Sequence, residues 1–170
     1  MLHQITCFWS WLLIVMNPFW RLKKSGMGHV VKGHTYVIIS NHQSLLDIII
    51  INTTFLPFKW VSKSSLFHIP FVGWLMRMSN YISLKRGSAD SIRKMIEACK
   101  KEIRKGVSVI IFPEGTRSKK GKLGNFKEGA FKIALETGCD ILPIVKQGTA
   151  RAMPKDTAMI KGKQKITMEV

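Results

Sequence analysis

Short apolar runs alternate with amphipathic stretches along most of this chain. Tyr36-Val37-Ile38-Ile39-Ser40 and Val107-Ser108-Val109-Ile110-Ile111-Phe112 are β-branched and nearly continuous, the pattern of strands covered on both faces. The second run is the more strand-like and should lie centrally. Phe58 to Ser62, Tyr81 to Leu84, Ile141 to Val145 and Ile166 to Val170 predict further, shorter strands. The clearest helix is Ser88 to Lys105. There Ile92, Met95, Ile96, Cys99 and Ile103 recur at the helical period, Ser88 can cap the start and Gly106 can close the end. Ser44 to Asn52 predicts a helix burying Leu45, Ile48, Ile49 and Ile50, and Lys127 to Thr137 predicts one closed by Gly138. Leu66 to Met78 is broken by Pro70 and Gly73, is apolar nearly all round, and reads as core, with the lining of an apolar groove as the alternative. Gly26 to Thr35 is a connector and Ser118 to Gly124 a basic loop. Strands alternating with helices predict an α/β fold, with a mixed, largely parallel sheet flanked by helices. At 170 residues, with no internal repeat or linker, the chain predicts one core.

The first twenty residues break this alternation. Ile5 to Trp20 reads ITCFWSWLLIVMNPFW and runs into Arg21-Leu22-Lys23-Lys24. The apolar stretch falls short of the roughly 20 residues a membrane span needs, and Asn17-Pro18 interrupts it. It lacks a basic start and a small-residue cleavage site, so it does not read as a signal peptide. Its three tryptophans and basic flank predict a membrane-interfacial helical segment; an ordinary buried helix is the plainer alternative. Residues 1–25 are therefore expected to be a membrane-associating segment and residues 26–170 the folded domain. The sequence ends on a strand pattern with no closing helix, so the domain reads as truncated there.

Charge changes the picture next. The chain has 27 Lys and Arg against 10 Asp and Glu, a formal +17, while 46% hydrophobic residues exclude a disordered polyelectrolyte. Such a surface attracts polyanions, either nucleic acid or anionic lipid. The basic residues are not interleaved with stacking aromatics, so a membrane lipid surface is the expected partner and nucleic acid is not. Cys7, Cys99 and Cys139 lack metal-ligand spacing; Cys99 and Cys139 read as small core residues, and no metal is expected.

Candidate chemistry lies at the exits of the two strongest strands. Asn41-His42-Gln43-Ser44-Leu45-Leu46-Asp47 follows the first. A histidine and a carboxylate five residues apart across a tight turn can form a general-base pair, the imidazole taking a proton and the carboxylate orienting it. A substrate hydroxyl can then attack without a serine or cysteine nucleophile. Alone, His42 and Asp47 would read as a helix-capping histidine and a surface acid. They are accompanied by Phe112-Pro113-Glu114-Gly115-Thr116-Arg117-Ser118 after the second strand. Gly115 allows close backbone approach, Thr116 and Ser118 can donate to oxyanions, and Arg117 can hold a phosphate bidentately. Lys85-Arg86-Gly87, after Tyr81 to Leu84, reads equally well as phosphate ligands or as surface charge.

These blocks resemble the PlsC-type glycerolipid acyltransferases, the 1-acyl-sn-glycerol-3-phosphate acyltransferase family. Asn41 to Asp47 is similar to that family's first motif, Phe112 to Ser118 to its third at every position, and Ile141-Leu142-Pro143-Ile144-Val145 to its fourth. The first and third lie about 70 residues apart, a specific pairing, and the resemblance extends from Asn17 to Gly148. The second motif departs from pattern: Arg86 matches the family's arginine, with Lys85 where an acid is common. The resemblance implies transfer of a fatty acyl group from acyl carrier protein or coenzyme A to the 2-hydroxyl of lysophosphatidic acid, giving phosphatidic acid, at the cytoplasmic face of a membrane. His42 would be the base and Asp47 its orienting group. Arg86 and Arg117 would bind the acceptor phosphate, with Glu114, Gly115 and Thr116 shaping its pocket. No cofactor beyond the thioester co-substrate is implied. Glycerol 3-phosphate or another lysolipid is the alternative acceptor. A non-enzymatic polyanion-binding domain would leave both strand-exit motifs unexplained.

Overall fold

The computed structural model describes residues 2–118, 123–154 and 162–170; within the basic loop after Arg117, residues 119–122 lie outside the described residues. Six α-helices and seven strands are described: α1 (Leu2–Met16), β1 (Trp20–Ser25), β2 (Tyr36–Ser40), α2 (Leu46–Asn52), β3 (Phe58–Lys63), α3 (Val72–Met78), β4 (Ile82–Leu84), α4 (Ala89–Arg104), β5 (Ser108–Ile111), α5 (Gly129–Thr137), β6 (Asp140–Gln147), α6 (Thr149–Ala152) and β7 (Gln164–Glu169). The strands form one sheet in the order β1-β7-β6-β2-β5-β3-β4. From β6 to β4 all neighbours are parallel; β7 is antiparallel to β6, and β1 is parallel to β7. The fold is the expected mixed, largely parallel sheet flanked by helices, and β5 sits at the middle of its parallel block.

The alternation of side chains divides the core. Successive strand residues point to opposite faces. Ile38 and Ile110 join Leu46, Ile50, Phe58, Trp60 and Ile144 on one side, where α2 packs. Their neighbours Val37, Val109 and Ile111 join Met95, Ile96, Cys99, Ile103 and Ile133 on the other, under α4 and α5. The register pairs Val37 with Val109 and Ile38 with Ile110, so like faces meet across the ladder. Ser88 caps α4 by accepting a hydrogen bond from the Ser91 amide, as the sequence predicted.

Four expectations are corrected. β1 was unforeseen: Trp20 is buried and Leu22 packs against the core, while Arg21 and Lys23 point to solvent. A strand this basic does not show β-propensity, but lysine suits an edge that must not recruit another chain. Trp20 is consequently core and not an interfacial anchor. Leu45 is 55% exposed, because α2 begins one residue later and presents Leu46, Ile50 and Ile51 inward. The stretch Leu66 to Met78 buries Phe67, Gly73 and Met76 but leaves Ile69, Phe71, Val72, Trp74, Leu75 and Met78 exposed, so it is not plain core.

The N-terminal helix α1 packs one face inward and leaves the other exposed. Cys7, Ser10 and Ile14 are buried, and Ser10 Oγ accepts a hydrogen bond from Asn52 Nδ2 of α2 at 3.1 Å. His3 contacts Leu56 O at 2.9 Å and Tyr81 Oη at 3.0 Å, which ties the start of the helix to the sheet side. The outer face carries Ile5, Phe8, Trp9, Leu13 and Met16 in solvent. Among the described residues no helix is long and apolar enough to cross a membrane.

Candidate active site

Parallel strands bring their carboxyl ends to one edge, and the sequence blocks lie there. β2 ends at Ser40 and delivers Asn41 and His42; β5 ends at Ile111 and delivers Phe112 to Ser118; β4 ends at Leu84 and delivers Lys85 and Arg86. The turn between β2 and α2 closes on itself through Asp47. Its Oδ2 accepts from the Gln43 amide at 2.6 Å, from the Ser44 amide at 2.8 Å, and meets His42 Nδ1 at 2.9 Å. Asp47 is fully buried. Burial pushes its carboxyl upward, but the His42 contact, the Lys146 charge and the Ser44 amide outweigh this, and the net displacement is below the usual carboxylate range. A carboxylate that accepts from Nδ1 fixes the tautomer, leaving Nε2 as the basic nitrogen. Nε2 makes no hydrogen bond among the described residues.

The Phe112 block holds His42 from behind. The Phe112 ring stacks on the imidazole, with centroids 4.0 Å apart and planes at 9°. Glu114 is buried; its Oε1 accepts from the His42 amide at 2.8 Å and its Oε2 from the Gly124 amide at 2.9 Å. The Ser118 amide donates to His42 O at 2.7 Å. Both backbone polar groups of His42 are thus committed to the second block. Gly115 adopts φ 67°, a left-handed conformation that strains any L side chain, and so lets the loop turn over Pro113. Of the expected pocket residues, Glu114 shapes the loop through backbone, Gly115 bends it, and Thr116 is exposed.

The two arginines are placed differently. Arg117 is half-buried and immediately precedes Ser118, whose amide binds His42. Arg86 is exposed, three strand positions from β2 along the same edge, about 14 Å by ordinary strand spacing. The structure therefore gathers His42, Asp47 and Glu114 into one bonded group, sets Arg117 beside it, and leaves Arg86 at the far end of the edge.

Sequence reading missed Lys146 and Asn41 as partners. β6 alternates Leu142, Ile144 and Lys146 inward, so a lysine occupies a core position with no exposure at all. Its Nζ donates to Ser40 Oγ and to Asn41 O, each at 2.8 Å, lies 4.0 Å from Asp47 Oδ1, and sits 4.8 Å from the centre of the Phe112 ring. Asn41 extends the sheet ladder with its side chain: Oδ1 accepts from the Lys146 amide at 2.9 Å and Nδ2 donates to Lys146 O at 2.8 Å. The signal was available, because a lone lysine in phase with inward aliphatics marks a buried cation.

An apolar cavity of about 240 Å³ opens between α1, α2, β3 and α3, lined among others by Thr6, Ile48, Trp60, Val72, Leu75 and Met76. Ile48 follows Asp47, so this cavity begins beside the helix that carries the carboxylate.

Fold and site together define an α/β protein with a histidine–carboxylate pair at the carboxyl ends of parallel strands. The chain belongs to the Acyltransferase family, whose pattern it matches over residues 21–147. It is 41% identical over 145 residues to the chloroplastic 1-acyl-sn-glycerol-3-phosphate acyltransferase LPAT1 of Arabidopsis thaliana, covering 85% of this chain and 41% of that protein. It is 36% identical over 126 residues to the 1-acyl-sn-glycerol-3-phosphate acyltransferase of Borreliella burgdorferi, covering 74% and 50%. The crystal structure of the 1-acyl-sn-glycerophosphate acyltransferase PlsC from Thermotoga maritima superposes with a TM-score of 0.77 at 28% identity, over 98% of this chain and 65% of that one. The chain thus spans about two fifths of the plant relative's length and half of the bacterial one's.

Proposed function

We propose that this chain transfers a fatty acyl group from a thioester, acyl carrier protein or coenzyme A, to the 2-hydroxyl of lysophosphatidic acid. The observation that carries the reading is the buried His42–Asp47 pair at 2.9 Å, with its backbone clamped by Glu114 and Ser118. His42 Nε2 takes the hydroxyl proton as the oxygen attacks the thioester carbonyl, and the buried carboxylate stabilises the imidazolium so formed. The proton then passes to the departing thiolate as the tetrahedral adduct collapses to ester. Base and acceptor hydroxyl suffice for this chemistry, so the reading calls for no metal or cofactor. Arg117, beside the pair, suits the acceptor phosphate; Arg86 lies far enough away to reach it only across the edge.

The apolar cavity beside Ile48 suits the start of an acyl chain. α1 and α3 border it through Thr6, Val72 and Leu75, and the exposed apolar residues of both helices suit a lipid surface approached by a protein of formal charge +17. This supports a peripheral or monotopic seat on the cytoplasmic leaflet. The test is thioester consumption by the purified protein with lysophosphatidic acid, using each donor type in turn. Wild type should release thiol with both acceptor and donor present, and His42→Ala should lose about 10²- to 10⁴-fold while melting at a similar temperature. A folded His42→Ala protein with normal turnover would refute the reading.

A further inference from the structure

We propose that Lys146 is a positioning residue of the His42–Asp47 pair, its buried ammonium holding Asp47 as a carboxylate and opposing a resting positive charge on the imidazole. The inference rests on the acyl-transfer reading above. Its first ground is geometric. Asp47 divides its two oxygens: Oδ2 serves His42 and two amides, while Oδ1 faces Lys146 Nζ at 4.0 Å, and the nearby Thr149 hydroxyl also favours the charged carboxylate. The lysine is fixed rather than adaptable, with Nζ bonded to Ser40 Oγ and Asn41 O and its main chain bonded on both sides to Asn41.

The second ground is cost. A cation with no exposure must be compensated, and structural stability alone is better served by an apolar residue of the same length. The charged groups acting on Lys146 are Asp47 from α2 and Glu114 from the loop after β5; His42 lies beyond Asp47, bonded to its other oxygen, and the face of Phe112 completes the surround. Burial brings the ammonium down to about 8, against the pull of Asp47 and Glu114. The two carboxylates and the two oxygen acceptors at Nζ favour its charged form. A fixed positive charge behind Asp47 offsets part of the carboxylate's field at the ring. Nε2 then gains its proton from the acceptor hydroxyl during the attack.

The experiment uses two variants of the whole chain, Lys146→Met, which keeps the length, and Lys146→Gln, which keeps a donor for Ser40 or Asn41 O. Thioester release with lysophosphatidic acid is measured against pH, and the protonation midpoint of the His42 ring is followed separately by NMR of the ring nitrogens, without substrate. Removing the charge behind Asp47 should move both the acidic limb of kcat and the ring midpoint upward by about 1–2 pH units. At neutral pH kcat should fall about 10-fold, with KM for the acceptor little changed. A folded variant whose ring midpoint stays in place overturns the proposal, whatever its activity, and so does failure of both variants to fold, which would make Lys146 purely structural. Because the ring midpoint needs no turnover, it separates this proposal from the reaction itself: an active His42→Ala protein would remove the reaction reading and leave the midpoint result standing.

Discussion

Glu114 offers the sharpest test of how the two sequence blocks depend on each other. Its position in a phosphate-proximal loop suggested a pocket wall, yet both its oxygens point at backbone amides, those of His42 at 2.8 Å and Gly124 at 2.9 Å. Glu114→Gln changes almost no volume but leaves one acceptor oxygen for two N–H donors. One amide then faces the NH₂ group and loses its partner. A hydrogen bond to a charged group is worth about 1.5–3 kcal/mol, and an orphaned buried donor costs about as much as the bond, so the variant should lose about 2–3 kcal/mol of stability. That is survivable against an ordinary 5–15 kcal/mol, so the protein still folds at 25 °C. The freed His42 backbone lets the imidazole drift on Phe112. A displacement of about 1 Å at a base can cost on the order of 100-fold. The expected result is a urea midpoint lowered without change of slope, kcat down about 10- to 100-fold, and acceptor KM within about threefold. An unchanged kcat with a raised acceptor KM would show that Glu114 touches substrate instead, and would refute the clamp.

Three further outcomes are expected. Asp47→Asn should lose at least about 100-fold in kcat, because the ring loses its orienting charge. The folded Asp47 carboxyl lies below its ordinary value of 3.8, so its stabilisation is present above that pH and fades as pH falls through the folded value; the stability gap between wild type and Asp47→Asn should narrow below about pH 4 in acid titrations followed by circular dichroism. Arg117→Lys should cut kcat/KM for lysophosphatidic acid about 10- to 100-fold, with donor KM nearly unchanged, since lysine cannot reproduce two parallel N–H bonds; a rise confined to donor KM would move Arg117 to the donor. Changing Trp9, Phe71 and Trp74 to Ser should reduce co-sedimentation with anionic vesicles, while raised salt weakens what remains; sedimentation equal to wild type would sink the membrane-face reading.

The parallel part of the fold was legible because strands covered on both faces must be largely apolar, and β2 and β5 obey, while β6 alternates buried and exposed positions around its aliphatic centre. What escaped was the part whose pattern serves a different constraint. β1 carries Arg21, Lys23 and Lys24 in six residues, because an edge strand is half solvent and its ladder to β7 needs only Trp20 and Leu22 inward. Leu45 and Leu46 are chemically identical, so only the helix phase decides which is buried, and that phase follows from Asp47 drawing the Gln43 and Ser44 amides into the turn. The exposed side chains of α3 read as core because hydrophobicity reports a preference for leaving water without saying what covers the side chain.

The site divides along the same line. His42 and Asp47 were legible because their spacing is local: five residues across one turn suffice to bring Nδ1 and Oδ2 to 2.9 Å. The rest of the site is held by contacts between residues 72 to 105 positions apart: the Glu114 carboxylate on the His42 amide, and the Asn41 side chain on the Lys146 backbone. No spacing rule encodes such pairs; they exist because β2 is flanked by β5 and β6, so that three strand exits converge on one histidine. Strand order was the missing quantity. Once it is known, the roles follow. Each acid is spent on main-chain amides as well as on charge, Asp47 on those that form its own turn and Glu114 on the one that carries the base. The fixed element is therefore the backbone around His42, and the imidazole inherits its precision from it.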